Sequence, residues 1–101
     1  MIMTYDFIMA AKRNKNFRSQ IEEAVLSDSK NEICTDVCRL TFFPESQTVI
    51  VTANPDTSAF KHKIIPKKIT YRALMKMLNG EWSSMVPGDI EDFDDSDNSG
   101  L

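Results

Sequence analysis

The chain of 101 residues is 42% hydrophobic and 27% charged, with 12 Lys and Arg against 15 Asp and Glu and a net charge of −3. These proportions lie near globular averages and exclude a wholly disordered chain, while the length allows one domain with a thin core. Apolar runs such as Val49-Ile50-Val51 fall far short of the roughly 20 residues that cross a bilayer, so no membrane partner is expected.

The N-terminus has neither a basic region nor a sustained apolar run before Lys12-Arg13-Asn14-Lys15-Asn16, which predicts no secretion through a cleaved leader. Thr4 is a candidate N-cap and Asp6 a first-turn anion, predicting a helix over about 5–13. Helical spacing resumes at Phe17, Ile21, Ala24 and Val25, with Asn16 as the expected cap, so the segment is one kinked helix or two. Ser27-Asp28-Ser29-Lys30-Asn31 is turn chemistry and closes it.

Alternation in Cys38-Arg39-Leu40-Thr41-Phe42-Phe43, then Pro44 to Gln47, then Thr48-Val49-Ile50-Val51-Thr52, predicts a β-hairpin over about 34–53. A further extended stretch over about 62–69 contains Pro66, which cannot donate to a ladder, and so reads as an edge strand. Thr70 then caps a helix over about 71–79, with Ile69 and Leu74 as a hydrophobic staple and Asn79-Gly80 as the stop. Apolar residues thin out after Pro87-Gly88, placing the end of the folded domain at residue 87 and an acidic, disordered tail at 88–101. The fold class expected is α+β, a small antiparallel sheet packed against these helices.

Charge is distributed unevenly. Residues 1–80 hold all twelve cations against eight acids, leaving +4; residues 81–101 hold seven acids and no cation. Extended at about 3.3 Å per residue, the run from Asp89 to Asp97 places a carboxylate roughly every 5 Å, a spacing suited to mimicking one nucleic-acid strand. Asp89, Glu91, Asp92, Asp94, Asp95 and Asp97, with Phe93 among them in the place of a base, are therefore the candidate partner-binding residues. Lys61, Lys63, Lys67, Lys68, Arg72 and Lys76 form a candidate basic surface, able to track phosphates if Tyr71 or Phe43 beside it is exposed for stacking. Trp82, just past a helix end, either folds back on the core, the favoured reading, or anchors an interface.

Catalytic inventory is sparse. His62 lies between two lysines with no nucleophile or acid alongside, and Gly80, Gly88 and Gly100 make no phosphate loop. Cys34 and Cys38, placed on one strand, would share a face about 13 Å apart, too far for a disulfide and without the second ligand pair a zinc site needs. Two free thiols suit a reducing compartment, so a cytoplasmic location is expected. Asp95, Asp97, Ser99 and Gly100 match the first half of a calcium loop, but no twelfth-position carboxylate follows. No catalytic residue, metal or cofactor is assigned.

The function expected is a non-enzymatic regulatory or inhibitory protein that binds another macromolecule, with a nucleic-acid-handling protein engaged by the acidic tail as the leading case. The profile fits small accessory proteins of viruses or mobile elements. The alternative is a weak single-stranded nucleic-acid-binding module whose basic face is covered by its own tail. A sheet this small leaves its outer face or an edge available, so self-association into a homodimer or strand addition with a partner is a further expectation.

Overall fold

A computed structural model describes residues 6–54, 56 and 66–93. Two helices open it, α1 (Asp6–Arg13) and α2 (Lys15–Leu26). Asn14 divides them. Its N–H closes α1 on Ala10 O at 2.9 Å and its C=O receives Arg18 N, while its own backbone is extended, at φ −126° and ψ 107°. Asn14 Oδ1 accepts from Asn16 N at 2.9 Å and Phe17 N at 3.3 Å. The cap is thus Asn14 rather than Asn16, because a capping oxygen reaches the second and third helical N–H groups.

Five antiparallel strands follow: β1 (Asn31–Cys34), β2 (Cys38–Phe43), β3 (Thr48–Ala53), β4 (Lys67–Thr70) and β5 (Ile90–Asp92). They lie side by side in chain order. The expected hairpin is present as β2–β3, with Leu40 opposite Val51 and Phe42 opposite Val49. The sequence reading missed β1, because Asn31 looked like turn chemistry and only Ile33 in that strand is a strong β former.

The stretch expected at an edge over about 62–69 lies partly outside the described residues, and its described part, β4, is an interior strand between β3 and β5. Pro66 is accommodated because it precedes the strand and contributes only its carbonyl, which accepts from Phe93 N at 3.1 Å.

α3 (Tyr71–Leu78) starts directly from β4. Thr70 Oγ1 accepts from Ala73 N at 3.1 Å, as expected of its cap. At the other end Glu81 N bonds Lys76 O and Gly80 N bonds Met77 O, with Gly80 at φ +77°, a Schellman stop. Arg18 reaches over from α2 to Leu78 O and to Asn79 Oδ1, tying the two helices at their ends.

The core lies between the helices and one sheet face. Phe7, Ile8, Ala11 and Ile21 from the first two helices meet Leu40, Phe42, Val49, Val51 and Ile69 from the sheet and Leu74 and Met77 from α3. Ile69 and Leu74, the expected staple pair, are both fully buried. The opposite face, carrying Arg39, Thr41, Ile50 and Thr52, is half-buried.

The expected boundary at residue 87 falls inside the fold. Val86-Pro87-Gly88-Asp89 is a type II turn, closed by Asp89 N to Val86 O at 3.1 Å with Gly88 at φ +93°, and β5 follows at once. Proline and glycine here shape a turn that delivers a strand, where the sequence reading took them for the onset of disorder.

Candidate functional site

The acidic segment divides into a structural root and an exposed stem. Asp89 is the root, 1% exposed. Its Oδ1 accepts from Arg72 Nη2 at 2.9 Å and lies 3.4 Å from Thr70 Oγ1, and its Oδ2 accepts from Val86 N at 3.0 Å with Lys76 Nζ at 3.6 Å. The Arg72 hydrogen bond, then that from Val86 N–H, outweigh the opposing effect of desolvation and lower the carboxyl pKa to about 2. Asp89 is therefore a fixed anion inside the fold, and its expected role as a partner contact is corrected: the side chain has no surface to offer.

The stem runs along the sheet edge. Thr70 N bonds Asp89 O at 3.0 Å, Ile69 stands opposite Ile90 and Lys67 opposite Asp92, and Phe93 N closes the ladder on Pro66 O. Glu91 and Asp92 are exposed and Phe93 is half-buried, while Asp94, Asp95 and Asp97 lie outside the described residues. The calcium-loop fragment lies outside them as well.

The structure distributes the candidate basic residues over two elements and pairs several with the acidic segment. Lys67 ion-pairs with Asp92, Arg72 with Asp89, and Lys76 with Asp89 while also donating to Ser84 O at 2.7 Å. Lys68 stands opposite Glu91 on one side and Ile50 on the other. Lys61, Lys63 and His62 lie outside the described residues. Tyr71 faces the core against Phe42, ring centroids 6.1 Å apart, and so cannot stack on a base; burial raises its phenol pKa. Phe43 is half-buried on the outer sheet face with the Lys30 ammonium 5.2 Å above its ring.

Trp82 sits in a 3₁₀ turn (Trp82–Ser84) and is 41% exposed, so the favoured reading of a ring folded into the core is corrected. Between the Schellman stop at Gly80 and the Pro87-Gly88 turn, residues 81–84 are all exposed, and Trp82 lies in that stretch.

The cysteines lie on two strands rather than one. Cys34 ends β1, exposed, opposite Arg39 on the outer face; Cys38 begins β2, buried in the core. Desolvation, then the Glu32 carboxylate, raises the Cys34 pKa, which keeps the thiol protonated at neutral pH. Among the described residues no group of three or more His, Cys, Asp and Glu is placed to hold a metal ion, and no helix is long and apolar enough to cross a membrane.

No protein-family model, curated protein or solved structure matches the chain.

What sequence reasoning missed is Asp89 as a clamp between strand and helix. The available signal was Pro-Gly-Asp followed by Ile90, turn chemistry leading into an apolar residue.

Proposed function

We propose that this chain is a non-enzymatic regulatory or inhibitory protein that binds another macromolecule, with the acidic run from Glu91 to Asp97, of which the stem is the described part, as its recognition element. One observation supports this most: the stem is rooted by the Asp89 clamp and the β4–β5 ladder, while Glu91 and Asp92 stay in solvent at a sheet edge. Anchoring the root lowers the ordering cost that a free acidic tail meets on binding. The partner class that suits closely spaced carboxylates is a protein with a basic groove for a nucleic-acid strand, and the exposed Trp82 is the candidate apolar anchor.

The test is capture from lysate with and without excess single-stranded DNA, comparing the native chain with a variant carrying Glu91→Gln, Asp94→Asn, Asp95→Asn and Asp97→Asn. DNA should displace the captured protein, and the variant should capture none; capture unaffected by both would sink the reading.

A second reading draws support from the Lys67–Asp92 and Lys76–Asp89 pairs, in which the acidic segment neutralises the basic run within one molecule. Here the chain is a weak single-stranded nucleic-acid binder shielded by its own carboxylates. Glu91→Gln with Asp92→Asn should then produce salt-sensitive binding to a fluorescent oligonucleotide. No gain in anisotropy at low salt rules this out.

A further inference from the structure

At the opposite edge of the sheet, β1 runs beside α2 across open space. One part of this groove, about 340 Å³, lies between Gln20, Glu23 and Ala24 of α2, with the C-cap Ser27, and Asn31 and Ile33 of β1. The other part, about 380 Å³, shares Gln20 and continues to Asn14 and Phe17 on one side and Cys34 and Asp36 on the other. The α2 residues recur at intervals of three and four and so form one stripe along the helix.

The main chain of β1 is open toward the outside. Thr35 N bonds Cys38 O at 2.8 Å, and antiparallel alternation from that point directs the N–H and C=O of Ile33 and Asn31 inward to β2. The N–H and C=O of Glu32 and Cys34 consequently point away from the sheet, and none of the four has a hydrogen-bond partner among the described residues. The β5 edge differs, since it is three residues long and carries Glu91 and Asp92, charges that discourage strand addition.

We infer that the groove between α2 and β1 accepts an extended, cationic segment of a partner protein as a sixth strand. Its main chain pairs with Glu32 and Cys34, the recognition mode in which backbone bonds supply affinity and alternate side chains supply specificity. The groove selects those side chains. Ala24 and Ile33 form an apolar floor that takes a small aliphatic residue, and the flanking charges are Glu23 and Asp36, with no Lys or Arg among the groove's described lining residues. One face of the incoming strand therefore reads cation, aliphatic, cation at every second residue. A second copy of this chain fits less well, because the residues two positions either side of its Ile33 are Asn31 and Thr35, neutral side chains in place of the two cations. The inference uses neither β5 nor the acidic stem, so it stands or fails apart from the proposed function.

The test is amide-resolved NMR of the full chain titrated with the acetylated, amidated peptide Thr-Lys-Thr-Val-Thr-Lys-Thr, up to about 1 mM, the scale of weak transient contacts. Shifts and slowed hydrogen exchange are expected at Glu32 and Cys34. Two N-methylated forms, one for each alternation of the backbone, separate strand addition from plain charge attraction. The form methylated on the inward set should bind about tenfold more weakly or worse through loss of main-chain hydrogen bonds, and the other should bind as the parent does. The same peptide with glutamate for lysine should not bind.

Four outcomes overturn the inference: no shift at β1, shifts confined to Glu91 and Asp92, equal binding by both methylated forms, or protection of Glu32 and Cys34 that grows with protein concentration in the absence of peptide. The last would make a second copy the occupant.

Discussion

The carboxylate of Asp89 accepts a hydrogen bond from the Arg72 guanidinium at 2.9 Å, and this pair ties the turn before the last strand to the first turn of α3. The side chain of Arg72 is 67% exposed and that of Asp89 2%, so the pair is an inward carboxylate held by a cation that reaches in from solvent. Lys76, Thr70 and Val86 N–H complete the cage.

Asp89→Asn should lower the midpoint of urea unfolding clearly, because it leaves Arg72 and Lys76 facing a neutral group in a buried position. Asp92→Asn removes a pair whose acid is 81% exposed and should cost no more than about 0.5 kcal/mol, as screened surface pairs do. Equal losses in the two variants would show that Asp89 is not the anchoring residue.

The same clamp sets a pH dependence. The folded carboxyl titrates at about 2 and the unfolded one at 3.8, so its stabilisation is fully present above the unfolded value and disappears as pH falls through the folded one. Urea midpoints measured by circular dichroism between pH 5 and pH 2 should fall across that window, and Asp89→Asn should flatten the fall. A native profile level down to pH 2 contradicts the assignment.

Removing residues 88–101 takes away β5 and the Asp89 carboxylate together. This truncation should therefore unfold at lower temperature than the full chain, and loss of partner binding by it would report on stability as much as recognition. An unchanged thermal midpoint would mean that the β4–β5 ladder contributes nothing.

Helix α3 depends on its ends. Thr70→Ala removes the cap to Ala73 N and should cost about 1 kcal/mol. Gly80→Ala should cost about the same or slightly more, purely through backbone strain, since a Cβ there meets nothing within 4 Å while φ is +77°. A stabilised Gly80→Ala protein would refute the left-handed stop.

Thiol labelling should distinguish the cysteines. Cys34 is exposed and should react slowly at pH 7 and faster as pH rises through its raised pKa, while buried Cys38 should react only on unfolding. Two equivalents of fast thiol in the native state would count against the placement of β2.

Local chemistry alone determined much of the chain. Thr70 before an apolar period, Asn79-Gly80 after it, and alternating β-branched residues across Pro44 to Gln47 act within a few positions of one another, so α3 and the β2–β3 hairpin were legible without the fold. The concentration of acids after Gly80 was equally plain. What those acids do was decided by tertiary structure. Asp89 and Asp92 carry the same side chain three residues apart, yet the Pro87-Gly88 turn places the first in a cage built from α3 and leaves the second on an open edge. Whether a carboxylate is a clamp or a contact depends on partners that lie about 20 residues away in sequence and meet only when β5 pairs with β4. Short strands such as β1 and β5 follow the same rule: three or four residues hold too little pattern to announce a strand, and the neighbouring ladder supplies the hydrogen bonds that make them one.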